Sequence, residues 1–331
     1  YDDHVKLGGL EENIDKIMSL ENIIILGCGT SYNAGLIGRY YLNDLCDFNT
    51  VQVFDGAEFT QEDIPKNGRT GVIMLSQSGE TLDLCNCFET IRENDLFTIG
   101  VVNVVDSLIA NEVNCGCYLN AGREVAVGST KTFTSQLIVL SMIAIWIAQN
   151  KNINYEKRIQ YVNDLRKLHM DIRQTLESID ETLDPYIKNL NKDNMFILGK
   201  SKSEAIAHEG ALKIKELSYI HAESYSASKL KHGPFAMLEP DFPVILIAPH
   251  NKYYNNVMNA YEEIRSREAY VLMITDNENT IAENKIIVVR NKMYQEILIT
   301  IVLQLFAYKL TFARNLKPDR PRNLAKTVTV L

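Results

Sequence analysis

Short apolar runs recur along the chain, each closed by a turn rich in glycine or hydroxyls and followed by a longer stretch of helical periodicity. Residues 23–26 form the first run and end in Gly27-Cys28-Gly29-Thr30-Ser31, after which helix-like sequence reaches about residue 45. Thr30 or Ser31 is expected to cap that helix, because a short hydroxyl side chain can accept from a free N–H of the first turn. Residues 51–54 and 72–75 read as strands, and the second ends in Ser76-Gln77-Ser78-Gly79-Glu80-Thr81. A helix to about residue 94 and a strand at 97–101 follow, then an apolar helix at 130–149 and a charged one at 155–176. Strands alternating with helices predict a parallel α/β sheet.

The pattern then restarts. Residues 195–198 read as a strand, Gly199-Lys200-Ser201 take the place that Gly27 to Thr30 hold in the first half, and a helix with Lys213 and Glu216 follows. Strands are expected at 244–248, 270–274 and 286–289, and helices at 260–265 and 294–312. Two similar α/β units are predicted. The divisions are a lead-in at 1–20, a first unit at 21–180, a second at 181–314 and a tail at 315–331. The tail holds Pro, Arg and Lys without helical periodicity, so its order depends on docking.

Composition narrows the class. A chain of 331 residues, 46% hydrophobic and 23% charged, can bury a large core. A formal charge of −8 argues against nucleic acid or an anionic membrane as the main partner. An anionic substrate would need a local site of N–H groups and hydroxyls. The six cysteines include two Cys-x-Cys pairs, Cys85/Cys87 and Cys115/Cys117. Residues two apart on a helix do not share a face, and no His or zinc-type spacing accompanies them, so no metal is expected. They read as reduced, mostly buried thiols of a cytoplasmic protein. Residues 137–148 are apolar but shorter than the ~20 residues of a membrane span, and they read as a core helix. No signal peptide is visible, and without an initiator Met the chain reads as an excised domain.

Two constellations carry candidate chemistry. The 76–81 turn places three hydroxyls, Ser76, Ser78 and Thr81, at the carboxyl end of a strand and the start of a helix, where anions bind. Ser and Thr are also ordinary caps, but the cluster favours a phosphate monoester held by neutral donors. It is neither a Walker A loop nor a dinucleotide fingerprint. The stretch 208–234 gathers Lys213 and Glu216, three apart on one helix face, and His232 before Gly233-Pro234. Alone, such a Lys/Glu pair is an ordinary surface ion pair worth about 0.2–0.5 kcal/mol, and such a His an ordinary loop residue. Together they are the groups that move protons on a sugar at neutral pH.

At this point the motifs resemble a known family. Gly27-Cys28-Gly29-Thr30-Ser31-Tyr32, Ser76-Gln77-Ser78-Gly79-Glu80-Thr81, Val127-Gly128-Ser129-Thr130-Lys131, Glu209-Gly210-Ala211-Leu212-Lys213, Lys231-His232-Gly233-Pro234 and Pro321-Arg322-Asn323-Leu324-Ala325-Lys326 occur in order over nearly the whole chain. They resemble the isomerase part of the glutamine–fructose-6-phosphate aminotransferases, also called glucosamine-6-phosphate synthases. The resemblance implies two SIS (sugar isomerase) domains, each a parallel sheet flanked by helices, with a docked C-terminal tail. It implies that Thr30, Ser76, Gln77, Ser78 and Thr81, with Ser31 beside Thr30, hold the phosphate of fructose 6-phosphate, and that Val127, Ser129 and Ala325 line the sugar. It assigns ring opening to His232 of a partner subunit in a homodimer or higher oligomer. Proton transfer between C1 and C2 falls to Glu216 with Lys213 beside it, and a Schiff base to Lys326. The product is glucosamine 6-phosphate once an upstream glutaminase domain supplies ammonia. No cofactor or metal is implied, and UDP-N-acetylglucosamine is a candidate feedback ligand.

The chain departs from the family pattern in places. Ser228-Lys229 replaces Gly-Glu, Asn111 stands where an arginine is usual, Gly199-Lys200-Ser201 replaces Gly-Arg-Gly, and Leu331 replaces an acidic residue. A catalytically silent double-SIS sensor of a sugar phosphate or nucleotide sugar is therefore an alternative. A deglycase of phosphorylated amino sugars shares the phosphate turns but leaves the Pro-Arg-Asn-Leu-Ala-Lys tail unexplained.

Overall fold

Runs such as Ile23-Ile24-Ile25-Leu26 are apolar on both faces, the signature of strands covered by helices on either side. The computed structural model, which describes residues 3–326, shows ten strands in two parallel sheets. Leu331 and its neighbours from residue 327 lie outside the described residues. The chain runs α1 (Gly8–Glu11), α2 (Ile14–Met18), β1 (Asn22–Gly27), α3 (Thr30–Leu45), β2 (Thr50–Asp55), β3 (Thr70–Ser76), α4 (Leu82–Glu93), β4 (Phe97–Val102), α5 (Leu108–Glu112), β5 (Cys115–Tyr118), α6 (Lys131–Asn150) and α7 (Tyr155–Ile179). It continues through α8 (Asp184–Leu190), β6 (Asn194–Gly199), α9 (Lys202–Ser218), β7 (His221–Ser226), α10 (Tyr254–Arg265), β9 (Tyr270–Thr275), β10 (Asn284–Ile287) and α11 (Gln295–Ala313), with β8 (Pro243–Ile247) preceding α10.

The chain forms two compact units. The first holds residues 3–125 and 129–163 together with Ala325 and Lys326; the second holds Ala126–Gly128 and Asp164–Leu324. In the first, the strand order is β2-β1-β3-β4-β5; in the second it is β10-β9-β8-β6-β7, the same order read from the other edge. Each sheet thus has its switch point where strands one and three lie side by side, the place where open α/β sheets take ligands. In the first unit Ile24, Leu26, Val72 and Met74 pack with Leu84, Phe88 and Ile91 of α4. In the second, Leu198, Val244, Leu246 and Met273 pack with Val257, Tyr261 and Ile264 of α10.

The structure corrects several local expectations. Neither Thr30 nor Ser31 caps α3: the cap residue is Gly29, at φ 54 and ψ −120, with no side-chain cap bond. These angles mirror the (−60, +120) of a type II turn, which an L side chain enters only with strain. β5 and β7 were not legible as strands, and α10 starts at Tyr254, earlier than its apolar residues indicated. Cys115 and Cys117 lie on β5, where residues two apart share a face, so helix spacing does not explain their pairing. Of the six thiols only Cys87 is buried and the other five are intermediate. Burial still pushes the thiols of Cys28, Cys46, Cys87 and Cys115 up to about 12. The apolar helix is α6, 20 residues long and so not too short to span; α11, with 19, also passes on length and composition. Their most apolar windows are 72% and 67% buried, which marks both as core helices.

Candidate functional site

In the first unit the candidate anion site is the turn from β3 into α4. It is built by its own side chains: Ser76 Oγ accepts from the Gly79 N–H at 2.9 Å and pairs with Thr81 Oγ1 at 3.1 Å, while Ser78 Oγ accepts from the Glu80 N–H at 3.1 Å. Gly79 is at φ +68, and a β-carbon there would fall 1.9 Å from Ser107 Oγ. Glu80 turns back to accept from the Leu108 N–H at 2.9 Å, tying the turn to α5. Thr81 is the cap residue of the 12-residue α4 and no side chain caps that helix. The turn therefore presents a helix N-terminus lined by half-buried Gln77, Ser78 and Thr81. Ser76 is buried and shapes the turn from beneath.

Thr30 opens α3 beyond β1, the other strand at the switch point. Ser31 points elsewhere. Its hydroxyl accepts from Gln136 Nε2 of α6 at 2.8 Å, a buried bond that ties α3 to α6.

The first unit also holds Lys326. Its Nζ donates to Glu124 Oε2 at 2.7 Å and to Ser129 Oγ at 3.0 Å. Glu124 is itself buried and takes the place of a cap for α6: Oε1 accepts from the N–H groups of Thr130 (2.9 Å) and Thr132 (3.3 Å), and Oε2 from Thr132 Oγ1 (2.9 Å). Burial by itself would raise the Glu124 carboxyl, but the Lys326 bond and charge and the Thr130 and Ser129 bonds hold it below the usual glutamate range. Ala325, beside Lys326, is exposed.

In the second unit α9 carries the proton-handling candidates. Lys213, far from being a surface lysine, is 1% exposed. Its ammonium bonds Glu216 Oε2 and lies 3.7 Å from Glu209 Oε1, so one buried cation serves two carboxylates on a single helix face. Glu209 is equally buried, whereas the Glu216 side chain keeps 20% of its surface. Gly128 approaches this carboxylate closely: a β-carbon there would lie 3.6 Å from Glu216 Oε2 and 3.0 Å from Leu217 Cδ2. The Val127 N–H donates to Asp319 O at 3.3 Å.

α9 ends at Tyr219, in the left-handed conformation at φ 59. Tyr219 anchors the tail: its hydroxyl accepts from the Arg322 N–H at 2.7 Å and its ring lies 4.2 Å from the Arg322 guanidinium. His232, at the end of a 3-10 segment (Ala227–His232) before Gly233, is exposed. His208 pairs with Ser224 Oγ at 2.7 Å, and burial holds its imidazole below the usual value.

Two of the departures noted above meet: Lys200 Nζ donates to Ser228 Oγ at 2.8 Å, and Lys229 bonds Glu204 at 3.0 Å. Asn111 donates to Asp106 O at 3.2 Å. No group of three or more His, Cys, Asp or Glu suited to a metal occurs among the described residues.

Sequence reasoning passed over two residues. Glu209 is four before Lys213, and that helical spacing was a usable signal. Glu124 had none, because Lys326 lies some two hundred positions away in sequence.

Comparison with known proteins agrees with the architecture. The sequence matches the SIS domain over residues 16–146 and again over 190–314. It is 43% identical over 326 residues to a probable glutamine–fructose-6-phosphate aminotransferase (isomerizing) of Acanthamoeba polyphaga mimivirus, covering 97% of this chain and 53% of the relative. Identity is 38% over 331 residues to the corresponding protein of Chlorobaculum tepidum, covering 98% and 54%. The chain thus spans about half the length of these curated relatives. Among solved structures, the C-terminal domain of glucosamine-fructose-6-phosphate aminotransferase from Francisella tularensis superposes with a TM-score of 0.90 at 27% identity, covering 97% of this chain and 92% of that domain. With two SIS matches, two parallel sheets of one strand order and relatives of one kind along nearly its whole length, the chain belongs to the SIS-domain family and is similar throughout to the C-terminal half of the glutamine–fructose-6-phosphate aminotransferases.

Proposed function

We propose that this chain binds fructose 6-phosphate, opens its ring and converts ketose to aldose, giving glucosamine 6-phosphate where ammonia is supplied by the glutaminase domain of a full-length enzyme. The observation that carries the reading is the buried Lys213 with its two carboxylates, of which Glu216 alone keeps an accessible face. A stability role does not require such a group, since apolar residues fill buried positions at lower cost. A carboxylate beside a fixed cation is suited to move a proton between adjacent carbons.

In this reading Thr30, Gln77, Ser78 and Thr81 hold the phosphate, with Ser76 shaping the turn. Val127, Ser129 and Ala325 line the sugar. Glu216 takes the proton from C1 of the open ketose as the C2 carbonyl oxygen is protonated, giving an enediol. It then returns the proton to C2 while the C1 hydroxyl loses its own and becomes the aldehyde. Lys213 keeps the carboxylate oriented. In the ammonia-dependent reaction Lys326 first supplies the amine of a Schiff base at C2, the C2 oxygen leaving as water; ammonia then displaces the lysine at C2, and the same C1-to-C2 proton shift gives the amino aldose. His232 assists ring opening from a second copy of the chain; its exposure here supports that assignment. The enzyme would work in the cytoplasm. UDP-N-acetylglucosamine would be a feedback ligand, as the family resemblance implies.

Formation of glucose 6-phosphate from fructose 6-phosphate by the purified chain, read in a coupled assay, tests the proposal. Glu216→Gln is expected to lower turnover by about 10²–10⁴-fold, with substrate affinity by calorimetry little changed. Intact turnover in that variant would rule out Glu216 as the base. Binding without conversion in the unsubstituted chain would favour a sensor.

A further inference from the structure

Glu124 is a buried carboxylate with no part in the reaction as written above, and its two oxygens are differently engaged. Oε1 accepts from the backbone N–H groups of Thr130 and Thr132, which fixes the carboxylate plane against the start of α6. Oε2 accepts from the Thr132 hydroxyl and from Lys326 Nζ. A helix cap needs only the first oxygen. The second acts on the lysine.

Lysine is a compact charge on a flexible four-carbon stem, and holding it in one place costs rotamer freedom. Leu324 and Ala325, which precede it, are exposed. Only Glu124 Oε2 and Ser129 Oγ bond the Lys326 ammonium among the described residues. Schiff-base formation joins an ammonium and a carbonyl into a protonated imine and one molecule of water: the C–N bond forms, the C–O bond breaks, and two nitrogen protons leave with the oxygen. The lysine nitrogen carries one positive charge before and after. A carboxylate fixed 2.7 Å from it therefore faces the same charge in both states.

We propose that Glu124 is the positioning residue for Lys326 and the counter-ion of the protonated imine. This rests on the reading of Lys326 as the Schiff-base amine. Glu124→Gln keeps an acceptor for the α6 N–H groups and removes the charge. Both proteins are incubated with fructose 6-phosphate and borohydride, and the reduced adduct at Lys326 is measured by peptide mass spectrometry, beside the thermal midpoint and affinity for inorganic phosphate. The expected result is about a tenfold to hundredfold lower yield of adduct, the scale of one charge-assisted bond, with phosphate affinity retained. Undiminished adduct at Lys326 in Glu124→Gln overturns the role of Glu124 and leaves the Schiff base standing. No adduct at Lys326 in the unsubstituted chain overturns the Schiff-base reading and the inference with it. Should Glu124→Gln not fold, Thr132→Val decides. It frees Oε2 of its hydroxyl donor and is expected to lower trapping severalfold; unchanged trapping there overturns the proposal.

Discussion

Counted from their cap residues, Gly29 and Ser201, helices α3 and α9 share a framework and differ in chemistry. The ninth residue past each cap is a glycine, Gly38 or Gly210, and a β-carbon at either would come 2.7 Å from a leucine Cδ1, that of Leu140 or Leu303. The close helix contact is therefore the same in both units. The eighth, twelfth and fifteenth residues past the cap are Ile37, Tyr41 and Asp44 in the first unit, and Glu209, Lys213 and Glu216 in the second. Ile37 and Tyr41 are fully buried, so this scaffold accepts an apolar filling at those positions. Buried ions are expensive and their replacement by apolar groups is often neutral or stabilising. Their presence at these positions of α9, and not of α3, is what makes α9 the candidate for chemistry.

The turns of the two units differ as well. The hydroxyl-rich turn after β3 has no counterpart after β8, where the chain reads Ala248-Pro249-His250-Asn251. The hydroxyl of Ser31 in the first unit accepts from Gln136, while that of Ser203, its counterpart, is buried with no hydrogen-bond partner among the described residues. One fold occurs twice, with the candidate anion-binding turn in one copy and the candidate proton-handling groups in the other.

Lys213→Met leaves two carboxylates without their cation, and a stability loss of about 3–5 kcal/mol is expected in urea unfolding. Transplanting the first unit's solution, Glu209→Ile with Lys213→Tyr, should regain most of that loss without restoring turnover. A double variant as unstable as the single one would contradict the claim that the scaffold accepts either filling.

Gly79→Ala comes next. The positive φ and the collision with Ser107 together cost roughly 2–4 kcal/mol, and affinity for inorganic phosphate should fall with it. Titration calorimetry and thermal melting read both; wild-type affinity would separate the turn from anion binding.

The helix caps contribute least. Ser201 holds φ 62 and ψ −124, nearly the angles of Gly29, and so carries the strain that glycine avoids. Ser201→Gly is expected to stabilise by up to about 1 kcal/mol and Gly29→Ser to destabilise by about 1–3 kcal/mol. Opposite signs in the two melting shifts are the check.

Much of the fold was legible because parallel strands buried on both faces are written as unbroken apolar runs. Residues 23–26, 72–75 and 195–198 needed nothing else. β5 and β7 escaped because Cys-Gly-Cys-Tyr and His-Ala-Glu-Ser-Tyr-Ser are partly exposed edge strands with no such run. The turn at 76–81 was legible as a candidate anion site because its hydroxyls fall within six consecutive residues, and the Lys213/Glu216 pair because helical spacing is local.

Other features of the site were set only by folding. Lys213 and Glu216 could equally have formed a solvated surface pair; packing against α11 and the sheet made the lysine a buried one. Ser31 reads like its neighbour Thr30 but turns inward, because Gln136 waits on α6. Lys326 and Glu124 meet across some two hundred residues. Local spacing specifies strands, turns and helix faces, since those interactions reach only a few residues along the chain. Burial and long-range pairing depend on which surfaces the folded chain brings together, and these gave an ordinary lysine, glutamate and serine their separate roles.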